Sequence, residues 1–239
     1  MNTPYAWQTT TARPSGAVFD EGLRQHMLRV YNYMGIGLVV TGLVAFFVAS
    51  TPALYVPIFQ TPLKWVVMLA PLAFIFFFSF RMDRMTAAAA RGTFFAFAAV
   101  MGASLSTLLI RYTGASVVQV FFITAAAFGS LSLWGYTTRR SLSGMGSFLI
   151  MGLVGLILAS IVNIFVASSV LQFGISVIGV LIFAGLTAYD TQKLKEMYLY
   201  GNLDTEAAAK VSVFGALTLY LDFINMFQFL LALVGNRNE

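Results

Sequence analysis

Cysteine is absent from the 239 residues, and histidine occurs once, at His26. The first absence excludes disulfide frameworks, thiolate metal sites and cysteine nucleophiles. The second leaves almost no imidazole for metal binding or general-base work. Charge is scarce as well: charged residues make up 10% of the chain against 59% hydrophobic ones. At a mean hydropathy of +0.83, the sequence has too little polar surface for a water-soluble domain. Nine acidic residues against fourteen basic ones suggest a nucleic-acid partner only until the basic residues are located. They fall between apolar runs, as orientation in a bilayer requires, whereas a nucleic-acid binder gathers them on one exposed face. No nucleic acid is expected as a partner. His26, in a polar stretch before the first apolar run, reads as a solvated or interfacial side chain.

What is present is a series of long apolar runs. A helix needs about twenty apolar residues to cross the hydrocarbon layer, and seven runs approach that length: Val30–Ser50, Leu63–Phe80, Phe94–Leu109, Val117–Tyr136, Phe148–Val166, Leu171–Tyr189 and Val211–Val234. None alternates as a barrel strand does, and lipid leaves no partner for unpaired backbone groups, so each run is predicted to be a helix. The expected fold class is an all-α integral membrane protein with seven transmembrane helices. Gly155 with Ala159, and Ala184 with Ala188, are small-xxx-small pairs that permit close helix approach.

Basic residues set the orientation. Taken in alternate connections, Arg13, Arg24 and Arg29, then Arg81, Arg84 and Arg91, then Arg139 and Arg140, then Lys193, Lys195 and Lys210 fall on one side. Only Lys64, Arg111 and Arg237 fall on the other, which predicts a cytoplasmic N-terminus. Residues 1–22, rich in Thr, Ser and Pro, read as a flexible cytoplasmic tail, and residues 23–239 as the transmembrane domain. Leu23, Met27, Val30, Tyr31 and Met34 recur at helical spacing and predict an interfacial helix leading into the first span.

Ionisable groups inside the apolar runs persist only for a reason, because each is costly there. Asp222 lies within the seventh run, in LYLDFINMFQFLL, and Asp190 ends the sixth, in LTAYDTQKLK. If the sixth helix continues to about Met197, Asp190 lies ~10 Å inside its polar end. Asp222, eleven residues beyond Val211, lies ~16 Å in from the same face. Antiparallel neighbours joined by the polar Tyr198–Lys210 connection would bring both carboxylates into one pocket, with Arg81 at a compatible level. The plainer alternative has Asp222 and Asn225 hydrogen-bonding a neighbouring helix while Asp190 pairs with Lys193 or caps a helix end. Arg81 then serves as a headgroup anchor.

These two motifs resemble those of the Bax inhibitor-1 family, the TMBIM proteins. The likeness extends through RVYNYMGIGLVVTG before and into the first span, FRMDRM at the end of the second, and SLSGMGSFLIMGLVGLILASIVNIF, which is similar to the bacterial branch. The resemblance implies six helices around a central seventh and a pH-sensitive calcium leak in a bacterial inner membrane. It implies too that Asp190 and Asp222 form a proton-sensing pair to which Arg81 is linked. The connection between the aspartates is long for bacterial members because of the YLYGNLDTEAAAK segment.

Two carboxylates at ~4 Å and an effective dielectric near 20 repel by about 4 kcal/mol, enough that they share one proton. Burial resists the loss of that proton and a nearby Arg81 favours it. Gain or loss of the proton is expected to shift the seventh helix between two packings and so gate a cation path. Ionised Asp190 and Asp222 beside Asn225 and Gln228 would offer calcium a weak, transient oxygen site. No cofactor is expected beyond calcium as the permeant ion.

Three other readings compete. A membrane-embedded regulator of a protease or another membrane protein, without transport, would use the segment from Arg13 to Arg29. A retinal protein needs a lysine in its last span, and Val211–Val234 contains none. An intramembrane aspartyl protease matches at Tyr189–Asp190, but Asp222 follows Leu221 where glycine is required. The chain is therefore not expected to be an enzyme.

Overall fold

A computed structural model describes residues 16–81, 84–201 and 204–238. They form eight helices: α1 (Gly16–Ser50), α2 (Pro52–Phe59), α3 (Leu63–Arg81), α4 (Ala87–Arg111), α5 (Gly114–Thr137), α6 (Ser143–Val166), α7 (Ser169–Tyr200) and α8 (Thr205–Val234). Six of them, α1 and α4 to α8, are each long and apolar enough to cross a membrane. The second predicted run is α3, which meets the unforeseen α2 at a bend of 87°. Proline explains the break. Pro52 starts α2, and Pro62 disfavours helical backbone at Thr61, just beyond its end.

Helix direction shows that α2 and α3 together carry the chain back across. Gly37 packs against Phe94, Thr41 Oγ1 donates to the Ala98 carbonyl at 2.9 Å, and Val44 lies against Gly102, so α1 and α4 run parallel. The chain between them must return to its starting side. Hence α1, α4, α6 and α8 point one way and α3, α5 and α7 the other. The end from which α1 starts is termed the near face below.

The fold class is as expected, with α8 the most buried helix, set among α1, α4, α5 and α7. The Tyr220 ring, 0% exposed, meets Phe94 and Phe97 edge-on. α3 rests on α4, and α6 on α7. These two outer helices flank a crevice that reaches α8.

Several local expectations need correction. Leu23, Met27, Val30 and Met34 are buried in the bundle, so the start of α1 is a packed helix and not an amphipathic one lying on the membrane. α1 is already helical from Gly16, inside the segment read as a tail; residues 1–15, Arg13 among them, lie outside the described residues. His26 is 4% exposed, stacked on Tyr198 at 4.8 Å, with Nδ1 3.1 Å from Ser212 Oγ. It became buried because the start of α1 packs on the end of α7 and the start of α8.

The polar Tyr198–Lys210 connection is mostly helix. α7 continues to Tyr200, and α8 begins at Thr205 with the Asp204 carboxylate accepting from the Ala207 amide at 2.7 Å. Within the same first turn, Glu206 accepts from the Ala87 amide at 2.6 Å and so satisfies a donor at the start of α4. Gly155 faces open space, whereas the close approach of α7 is made by Ala188 against Gly135 of α5.

Candidate functional site

Thr218, Asp222 and Asn225 recur at helical spacing and form one face of α8. That face lines a cavity of about 700 Å³ with α3, α6 and α7, into which α7 brings Tyr189, Asp190 and Lys193. α7 and α8 are antiparallel: Leu194 packs on Gly215, and Phe183 stacks on Phe229 at 5.9 Å. This arrangement brings the Asp190 and Asp222 carboxyls within hydrogen-bonding reach of each other. Asp222 is 4% exposed. Its Oδ2 is buried without a donor among the described residues.

The electrostatics follow from what surrounds the pair. An orphaned carboxylate oxygen in an apolar interior is costly, and the group facing it is another acceptor. Beside Lys193 and Tyr189, three further polar groups of the wall carry acceptor oxygens. Ser160 donates to the Leu156 carbonyl at 2.8 Å, Thr218 to Phe214 at 3.1 Å and Asn225 Nδ2 to Leu221 at 2.8 Å. Both hydroxyl protons and one amide N–H are thus spent on the residues' own helices, and the oxygens of the three side chains remain as acceptors.

The predicted residues divide in their placement. Asp190, Asp222 and Asn225 line one cavity. Gln228 is partly buried and does not line it. Arg81 is exposed, with its guanidinium 5.8 Å from the Phe77 ring of its own helix, and also stands outside the lining. Lys193 lines the cavity with Asp190, its Nζ 6.0 Å from the Tyr189 ring. The spacing of three residues between Asp190 and Lys193 had signalled it, although as an ion pair and not as part of the cavity wall. Thr218 gave no signal until the directions of α7 and α8 were known. Among the described residues no group of three or more His, Cys, Asp or Glu side chains could hold a metal ion, and a tight calcium site needs more carboxylates than two.

The fold and the cavity define a polytopic helical membrane protein with a buried carboxyl pair between its last two helices. Residues 23–239 match the family described as Inhibitor of apoptosis-promoting Bax1, and the chain belongs to this Bax inhibitor family. It is 46% identical to protein RP147 of Rickettsia prowazekii over 97% of this chain and 98% of that one. It is 43% identical to the inner membrane protein YbhL of Escherichia coli K12 over 90% of this chain and 93% of that one. With the membrane protein SpyM3_0260 of Streptococcus pyogenes it shares 33% identity, over 92% and 96% of the two chains.

Proposed function

We propose that the chain is a pH-sensitive calcium leak of the bacterial inner membrane, with its N-terminus in the cytoplasm and its gate at the Asp190–Asp222 pair. The observation that carries this reading is the buried Asp222 carboxyl, which lies within hydrogen-bonding reach of Asp190 and whose Oδ2 has no donor among the described residues. The inner-membrane location draws support from the name of YbhL, and the orientation from the distribution of basic residues.

In the mechanism, one proton between the carboxyls holds α7 and α8 in the packing described. Loss of that proton leaves two negative charges that repel by about 4 kcal/mol at ~4 Å. Two outcomes relieve the repulsion: separation of the helices, or a cation between the carboxylates. The oxygens of Asn225 and Thr218 complete a weak coordination shell suited to a cation that enters and leaves.

On the way to the opposite face, Phe229 stacks on Phe183 and lies against Gly179. One turn further, Ser176 and Ala232, with Arg237 from beyond the end of α8, line a separate cavity of about 340 Å³ near the opposite face. The aromatic pair thus separates the two cavities as an apolar constriction of the kind that gates by excluding water. In this reading a small movement of α8 joins them.

Calcium flux into liposomes, followed across pH for the parent, Asp190→Asn and Asp222→Asn, tests the proposal. Each substitution is expected to flatten the pH dependence, because a single titrating carboxyl no longer competes for the proton. A parent without calcium flux, or the same pH profile in all three proteins, would discard it.

A further inference from the structure

A second cavity lies between α1 and α5 at the near face, away from the aspartates. α1 packs on α4 and α8, and α5 on α7 and α8. The groove left between α1 and α5 holds about 490 Å³, within the range of ligand sites. Its walls are Leu28, Phe128 and Leu133, with the backbone of Gly129. At its floor, Tyr31 Oη is 2.6 Å from Ser132 Oγ, which lies 2.9 Å from Thr191 Oγ1, and Thr191 donates to the Thr187 carbonyl at 2.7 Å. These hydroxyls satisfy one another, so the groove offers water little and an apolar chain much.

The mouth differs in character from the walls. Arg24 lines it. Lys195 reaches the same level, where Nζ donates to the Tyr136 carbonyl at 2.7 Å and lies 5.6 Å from the Tyr136 ring. Against these two cations stands Glu21, 3.4 Å from Arg24. Trp134, exposed on the same last turns of α5, suits the headgroup boundary.

We propose that this groove holds one acyl chain of an anionic phospholipid from the adjoining leaflet, with the headgroup phosphate against Arg24. Apolar walls select a hydrocarbon chain, and the net positive mouth selects an anion. An amphiphile that carries both at this depth meets both demands. The site does not rest on the calcium leak and stands or falls by itself.

The test uses the full chain, purified in detergent and titrated with phosphatidylglycerol or phosphatidylcholine, with bound lipid counted by native mass spectrometry. The parent is expected to retain phosphatidylglycerol in preference to phosphatidylcholine. Arg24→Gln is expected to reduce that preference about fivefold, the worth of one basic group near the surface. Gly129→Leu fills the groove, and because a Cβ at Gly129 meets open space, the variant folds and loses most of its bound phosphatidylglycerol. Gly155→Leu, on the exposed surface of α6 and equally unobstructed, retains the lipid as the parent does.

Equal retention of the two lipids by the parent, or undiminished retention by Gly129→Leu, overturns the proposal. A parent dimer that Gly129→Leu converts to a monomer overturns it too, in favour of a second copy of the chain as the occupant. Should Gly129→Leu fail to fold, Arg24→Gln decides: an unchanged preference overturns the site.

Discussion

The hydroxyl of Tyr220 lies 2.6 Å from Thr41 Oγ1, across the contact between α8 and α1. Since Thr41 spends its own proton on the Ala98 carbonyl, Tyr220 is the donor, and one chain of hydrogen bonds links α8, α1 and α4. The ring of Tyr220 fills the space between Phe94 and Phe97. Tyr220→Phe removes only the hydroxyl and leaves Thr41 bonded to Ala98, so it should cost about 1 kcal/mol or less. Tyr220→Ala opens a cavity at the centre of the bundle and should cost about 3–5 kcal/mol. Thermal unfolding in detergent ranks the two; equal losses would mean that the hydrogen bond, not the ring, carries the contact.

His26 is held mainly by packing. Its Nε2 is buried without a partner among the described residues, and Ser212, opposite Nδ1, also donates to the Ala208 carbonyl at 2.9 Å. His26→Phe keeps the stack on Tyr198 and removes the unsatisfied nitrogen, so its stability should stay within about 1 kcal/mol of the parent. His26→Lys places an unpaired charge in the same space and should cost about 3 kcal/mol or more. A large loss in the phenylalanine variant, read from the melting temperature, would show that the imidazole makes an essential polar contact.

Gly135 and Gly155 look alike in the sequence and should respond oppositely to alanine. A Cβ at Gly135 would run into the carbonyl of Ala188, backbone that cannot turn aside. Gly135→Ala should therefore push α5 from α7 and cost about 1–3 kcal/mol. At Gly155 the same methyl meets open space, and the better helix former should leave stability unchanged or raise it by about 0.5–1 kcal/mol. The ordering of the two melting temperatures checks this directly.

Lys193 lines the cavity with Asp190, and Arg81 does not. In the proposed leak, removing the lysine's positive charge makes release of the proton between the carboxyls less favourable, so Lys193→Gln should move the midpoint of calcium flux to higher pH. Because the lysine is exposed and screened, the shift should be at most about one pH unit. Arg81→Gln should leave the midpoint in place. A shift with Arg81→Gln alone would put the arginine beside the pair in the conducting state.

How far the sequence could be read varies with the kind of information each part carries. The membrane-spanning helices were legible because lipid demands long apolar runs with their backbone paired internally, a requirement that every residue of a run reports. α2 was not, since its eight residues PALYVPIF are apolar like a span, and the turn at Pro62 is a matter of direction that composition does not record. His26 was misread for a related reason. Nothing within Arg24–Arg29 shows that Tyr198 and Ser212, nearly two hundred residues away, come to cover it.

By itself the sequence determined that the chain lives in a membrane, that its helices number about seven, and that two aspartates sit where charge is costly. Hydropathy and local spacing are properties of neighbouring residues, and they survive in the linear string. Only the tertiary structure decided that the carboxyls face each other, that Lys193 stands beside them while Arg81 does not, and that a groove with a basic mouth opens between α1 and α5. Those outcomes depend on the directions and separations of packed helices. They are fixed by contacts such as Gly135 on Ala188 and Tyr220 on Thr41, between residues far apart in the chain.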